Sequence, residues 1–178
     1  MSVYSLIYDT ETSGLLGASL LPDNKQPKVI EFYGCLLEDG KKVDEVEFFA
    51  NPGFKLEQKI VSITAITDAM LANEKPFAAY ESQVWGIIKR ADEVVAHNLS
   101  FDIAIVDAEF ARLGQSVPWP AGRICTVEAT EWIKGYRLSL GALHEHLFGE
   151  KFAGAHRARV DVEALTRCFL ELRRLGYV

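Results

Sequence analysis

Asp9-Thr10-Glu11 sets two acids one residue apart, directly after the apolar run Val3-Tyr4-Ser5-Leu6-Ile7-Tyr8. In an extended chain residues i and i+2 share a side, so Asp9 and Glu11 project together while Thr10 faces the other way. Two carboxylates held within about 7 Å repel each other unless a cation sits between them. Read singly, such a pair is also the ordinary solvated end of a strand, so the rest of the chain has to decide. Two further segments carry polar groups of the same kind. In "HNLSFD", Asp102 falls in the first turn of a helix, a position the helix dipole favours for any acid. In "HRARVD", His156 and Asp161 lie five apart, which on a helix separates them by about 140°. They converge only if His156 lies in the loop before the helix and Asp161 in its first turns. Gly154 and Ala155 leave that loop free to adjust.

The elements that would position these groups are legible from periodicity. The first strand runs from Val3 through Glu11, and Ser13-Gly14 supplies the turn that ends it. Leu15 to Lys28 reads as a loop, with Gly17, Pro22, Asp23, Asn24 and Pro27 as breakers. Lys28 to Leu37 and Val43 to Ala50 read as strands joined by the turn Glu38-Asp39-Gly40-Lys41, so the second and third strands pair antiparallel. From Gln58 the pattern turns helical, with an interruption near Asn73–Pro76. Phe77, Tyr80, Val84, Ile87 and Ile88 then recur at helical steps. Trp85 beside them reads as core or rim. Glu93 to Ala96 is a short buried strand, and Ser100 is expected to cap a helix that runs to Leu113 and stops at Gly114. Arg123 to Thr126 is another short strand, Ser139 caps a helix reaching Phe148, and a last helix spans about Arg159 to Leu175. Pro118-Trp119-Pro120 reads as a rigid surface turn. Three strands followed by alternating helices and strands predict a mixed α/β sheet with helices on its faces. In such sheets functional groups gather at strand ends, where Asp9 and Glu11 lie.

Composition narrows the function classes. A chain of 178 residues fits one domain, with 49% hydrophobic and 25% charged residues as in globular proteins. No apolar stretch approaches the ~20 residues of a membrane span, and the first strand starts too near Met1 for a signal peptide. Cys35, Cys125 and Cys168 lie far apart without metal-ligand spacing, which favours small buried residues in a reducing, cytoplasmic setting. The net charge of −6 excludes a long electrostatic footprint on nucleic acid but leaves room for a few terminal nucleotides beside an acidic, cation-filled site.

With these residues in view, the three segments resemble the motifs of the DEDDh 3′–5′ exonucleases, the proofreading group of the ribonuclease H-like superfamily. "DTETSGL" resembles the first motif, "HNLSFD" the second and "HRARVD" the third, in the family's order and spacing, over about Val3 to Leu172. Weaker similarity continues in "SITAIT", where the family often has Gly at the Ala65 position, and in "LSLGAL". The resemblance implies a ribonuclease H-like mixed sheet, its first three strands partly antiparallel. It implies that Asp9, Glu11 and Asp161 bind two divalent cations, that Asp102 completes the cluster, and that His156 is the general base. Thr12, Gly14, Leu15, Ile66 and Phe101 would border the terminal nucleotide, with Phe101 packed beneath Asp102 rather than stacked on a base.

The residue chemistry agrees with that implication. Four carboxylates without a thiolate select hard cations, Mg2+ or Mn2+. Two such ions about 4 Å apart serve an in-line displacement at phosphorus, and histidine as a residue type exchanges protons near neutrality. A receiver-like phosphotransfer domain also gathers acids around Mg2+, but the Asp39-Gly40 hairpin breaks its strict strand–helix alternation. A non-catalytic nucleic-acid-binding module of the same fold would not need all five residues. The expectation is therefore a single exonuclease domain over 1–178, releasing nucleoside 5′-monophosphates from single-stranded 3′ ends of DNA, with RNA as the alternative substrate. Little chain follows the last helix, which favours a free-standing enzyme over one tethered to a DNA polymerase.

Overall fold

The structure, a computed structural model, describes residues 2–15 and 27–178. Most of the expected Leu15–Lys28 loop lies outside the described residues; at its base the Ser13 N–H donates to the Lys28 carbonyl and the Lys28 N–H to the Ser13 hydroxyl, both at 2.9 Å. Strand β1 (Tyr4–Thr12) continues through both acids. Its alternation divides the molecule: Leu6 and Tyr8 enter one core and Ile7 enters another on the opposite face. Strand β2 (Val29–Glu38) is antiparallel to β1 and buried up to its last residue, as an apolar run covered on both faces should be. Strand β3 (Lys41–Phe49) pairs antiparallel with β2 through a tight turn in which Asp39 and Gly40 both take positive φ, the geometry that Asp-Gly favours.

Helices α1 (Gln58–Thr64), α2 (Asp68–Leu71) and α3 (Glu81–Lys89) follow, then β4 (Glu93–Ala96), α4 (Leu99–Arg112) and β5 (Gly122–Cys125). The remainder is α5 (Thr126–Thr130), α6 (Leu140–Phe148) and α7 (Ala158–Arg174). The sheet order is β3-β2-β1-β4-β5, with β4 and β5 parallel to β1. On the face of Leu6 and Tyr8, α3 contributes Val84, Ile87 and Ile88, and α4 contributes Ile105, Val106 and Phe110. On the face of Ile7, α7 packs Ala158, Val162, Leu165 and Phe169 against Tyr33, Cys35 and Leu37. Alpha6 backs α7 through Leu143, Cys168 and Leu172.

The strand expected over Arg123–Thr126 is β5 one residue earlier, with Thr126 opening α5, and one expected cap is not made. Ser100 does not cap α4; the helix starts at Leu99 and Ser100 lies inside it. Asn98 makes the turn out of β4 at φ 82°, a left-handed conformation that Asn tolerates. Ser139 does cap α6, accepting from the Ala142 N–H at 3.2 Å. The Pro118-Trp119-Pro120 turn is pinned to α4, because the Trp119 indole N–H donates to Asp107 at 2.8 Å and its ring lies 5.8 Å from that of Tyr8. All three cysteines are buried thiols. Among the described residues no helix is long and apolar enough to cross a membrane.

Candidate active site

Beta1 carries its acids to the edge where both covering layers meet. On the α7 face, Asp9 and Glu11 look toward the first turn of α7, which holds Asp161. On the other face, the Thr10 hydroxyl donates to Asp102 of α4 at 2.8 Å, and Asp102 is only 3% exposed. Asp102 thus reaches the cluster from the opposite side of the strand, oriented by the residue that alternation turned away from the acids. His156 lies in the loop before α7, as convergence with Asp161 requires. Its N–H donates to Asp161 at 2.8 Å and its backbone takes φ 67°. Glu11, His156 and Asp161 offer ligand atoms all within 4.8 Å of one another. Asp9, Glu11, Asp102, His156 and Asp161 line one cavity of about 430 Å³.

No Lys or Arg is among the residues lining that cavity. Burial therefore acts on the acids with little to offset it. Asp9 is pushed well above the usual carboxylate range by desolvation, then by its neighbours Asp102, Glu11 and Asp161. Glu11 rises to about 8, through burial and then through Asp161 and Glu31. Asp102 rises to about 7 by burial, against the lowering effect of the Thr10 bond, and Asp161 is also raised by burial. An all-oxygen set of acids resisting ionisation for want of positive charge fits hard divalent cations. The cations would be held by Asp9, Glu11, Asp102 and Asp161.

A larger cavity of about 810 Å³ adjoins this one, and the two share Thr10, Glu11 and Phe101 as a dividing wall. Thr12, Gly14, Leu15 and Phe101 line it, as do Lys55 and Lys59. Ile66 does not. It is fully buried against Ile30, Leu56 and Leu71, so the expected contact with a nucleotide is corrected to a packing role beneath the cavity. Ile63 and Thr64 of the same segment do reach the lining. Ala65 ends α1 at φ 56°, the conformation that explains a preference for Gly at this point.

Three groups near the site were not singled out from sequence. Thr10 orients Asp102, although nothing distinguishes it from any threonine in a strand. His97, at the end of β4, bonds Thr126 through Nδ1 at 2.9 Å and the Leu138 carbonyl through Nε2 at 3.0 Å, fixing the wall that Ser139, Leu140 and Gly141 continue. Burial lowers its pKa to about 4, so it is neutral near pH 7. Glu31 is a lone acid inside the apolar strand Val29–Leu37 and is 2% exposed, a signal that was visible in the sequence.

Known proteins resemble this chain in sequence and in fold. The chain is 31% identical over 173 residues to a PolC-type DNA polymerase III of Staphylococcus haemolyticus, and the same identity holds for that of Staphylococcus aureus. The match covers 94% of this chain but 11% of those proteins, so the chain spans about a tenth of their length. Among solved structures, exonuclease X in complex with 5′-overhanging duplex DNA superposes with a TM-score of 0.63 at 25% identity, over 98% of this chain and 94% of that one. The nuclease domain of 3′hExo bound to rAMP, described as a DEDDh family member, superposes at 0.77 with 17% identity, over 98% and 94%. The mixed five-stranded sheet with helices on both faces is the ribonuclease H-like exonuclease fold. The exonuclease family model matches residues 6–169, and the chain belongs to that family.

Proposed function

We propose that residues 1–178 form a single domain that removes nucleoside 5′-monophosphates stepwise from the 3′ end of DNA, preferring single strands. The observation that carries this reading is the approach of His156 to Glu11 and Asp161, in a cavity lined by two further acids and without a Lys or Arg among its lining residues. When bound, two divalent cations, Mg2+ or Mn2+ for this oxygen donor set, supply the Lewis acidity that an in-line displacement at phosphorus uses. Asp9, Glu11, Asp102 and Asp161 hold the cation sites, with Thr10 fixing the orientation of Asp102. His156 accepts a proton from the attacking water. Phe101, packed against the core, separates the reacting cavity from the larger one. There Thr12, Gly14 and Leu15 border the terminal nucleotide, and Lys55 and Lys59 add positive charge next to an acidic site.

DNA is favoured over RNA because the relatives named for DNA, the PolC-type polymerases and exonuclease X, are 31% and 25% identical, against 17% for the rAMP-bound domain. The polymerase match also favours a second reading, in which this domain proofreads beside a DNA polymerase. The test is degradation of 5′-labelled single-stranded DNA, duplex DNA and RNA with Mg2+, with Mn2+ and with EDTA. The expected result is a ladder shortening from the 3′ end, fastest on single-stranded DNA and abolished by EDTA. Equal cleavage of a circular strand would make the protein an endonuclease and refute the proposal.

A further inference from the structure

We propose that Glu31 and Arg157 form a positioning strut that sets His156 over the acid cluster; this rests on the reading of His156 as the proton acceptor. Glu31 stands opposite Glu11 in the β1–β2 register, so its side chain projects on the α7 face, toward the acids. It is a fifth acid in that neighbourhood, yet its carboxylate is fully engaged elsewhere. Arg157 Nε donates to both carboxylate oxygens at 3.2 Å and Nη2 donates to Oε1 at 3.0 Å. The Ala158 N–H, the first amide of α7, donates to Oε2 at 3.0 Å. The guanidinium also lies 5.3 Å from the centre of the Phe49 ring, and Phe49 is paired with Glu31 in the sheet.

His156 immediately precedes this anchored arginine. On its other side Gly154 takes φ 83°, and residues 153–156 are exposed. The backbone that carries the imidazole is thus held on one side by Arg157 and by the His156 backbone N–H, which donates to Asp161. A flexible loop held at one end only would let the ring wander by an ångström or more, a displacement that costs up to about 10²-fold in rate. Two residues further on, Arg159 bonds Glu47 and lies over Tyr33, tying the same helix turn to β3. That second tie is more exposed and sits beyond the loop. It holds α7 without bearing on His156, and so serves as the control.

Variants at four residues test the strut. Arg157→Ala should lower kcat about 10–100-fold with KM nearly unchanged, whereas Arg159→Ala should keep wild-type kcat. In a His156→Ala background, Arg157→Ala should add less than about twofold, because the group it positions is gone. An equal loss in both backgrounds, a loss confined to KM, or an equal loss in Arg159→Ala overturns the proposal. The melting rise on adding Mn2+ should be kept in Arg157→Ala; its loss would assign Arg157 to cation binding instead. Should Arg157→Ala fail to fold, Glu31→Gln retains an acceptor for the Ala158 N–H, and Arg157→Lys retains the charge without the two-pronged geometry. The NMR signal of the His156 ring in cation-free protein gives a readout apart from activity. It should shift or broaden in Glu31→Gln and Arg157→Lys and stay put in Arg159→Ala. An unchanged ring signal in all three overturns the strut, while an inactive wild type with the expected NMR pattern overturns only the exonuclease reading.

Discussion

The two cavities that share Phe101 are built on different terms. The smaller is walled by buried and half-buried acids from β1, α4 and the start of α7, two of them oriented by a second residue: Asp102 by the Thr10 hydroxyl, and Asp161 by the backbone N–H of His156. The larger is lined by residues of α1 and the segment before it, several of them exposed, including Phe54 at 47% and Ile63 at 44%. Reaction demands fixed geometry and tolerates a desolvation cost. Gripping a nucleotide demands area and tolerates movement. The first cavity should therefore govern kcat and the second KM.

The strongest way to break that division is Asp9→Ala. It should remove activity by about 10³-fold or more, since loss of a cation site raises the barrier by several kcal/mol. The cation-free protein should melt no lower than wild type, because one of several mutually repelling acids is gone. If Mg2+ raises the melting temperature of Asp9→Ala as much as that of wild type, Asp9 is not a principal ligand. Next comes His156→Ala, expected to lower kcat about 10²–10⁴-fold while KM and the Mg2+-induced melting shift survive. Its residual rate should keep climbing with pH as hydroxide replaces the missing base. Near-full activity at neutral pH would make His156 a loop residue only.

Lys55→Ala combined with Lys59→Ala sharpens the other side. KM should rise about 3–10-fold at constant kcat, and the dependence of binding on salt should weaken by about one to two phosphate contacts. A fall in kcat instead would merge the two cavities into one functional unit. A smaller effect concerns stability. Glu11, raised to about 8, and Asp102, raised to about 7, bind protons in the folded state that the unfolded chain has released by pH 6.5. The folded form loses that advantage as pH climbs through those values, so stability falls with rising pH. His97, neutral in the fold and about half protonated at pH 6.5 when unfolded, adds a weak opposing slope that fades by about pH 7.5, which leaves the acids to dominate. The cation-free melting temperature should drop about 2–6 °C between pH 6.5 and 8, and saturating Mg2+ should flatten the trend; a flat cation-free curve would mean that burial does not keep these acids protonated in the fold. Smallest of all, Ala65→Gly should change stability by less than about 1 kcal/mol, because relief at φ 56° is opposed by the freer unfolded chain. Activity should not move.

Much of this architecture was legible because it rests on period. Alternation put Asp9 and Glu11 on one side of β1, and the five-residue interval required His156 to precede its helix. What period cannot convey is which residues oppose one another across strands. Glu31 meets Glu11 through register, and Arg157 meets Glu31 from 126 positions away in the chain. Ile66 failed for a related reason: its segment borders the cavity, but the left-handed turn at Ala65 swings that side chain into the core. Ser100 failed because the start of α4 is set by the left-handed turn at Asn98, a backbone geometry that side-chain preference alone did not reveal.

The ring of His97 has a chemical consequence of its own. The Leu138 carbonyl can only accept, so Nε2 must carry the hydrogen and Nδ1 must take one from the Thr126 hydroxyl. A single tautomer is thereby imposed. Were acid to add a proton at Nδ1, the Thr126 hydroxyl could turn to the Ala96 carbonyl, 3.5 Å away, and accept from the ring instead. The link between β4, α5 and the segment leading into α6 would then persist with its direction reversed, so that this wall of the cavity remains tied in either protonation state of the imidazole.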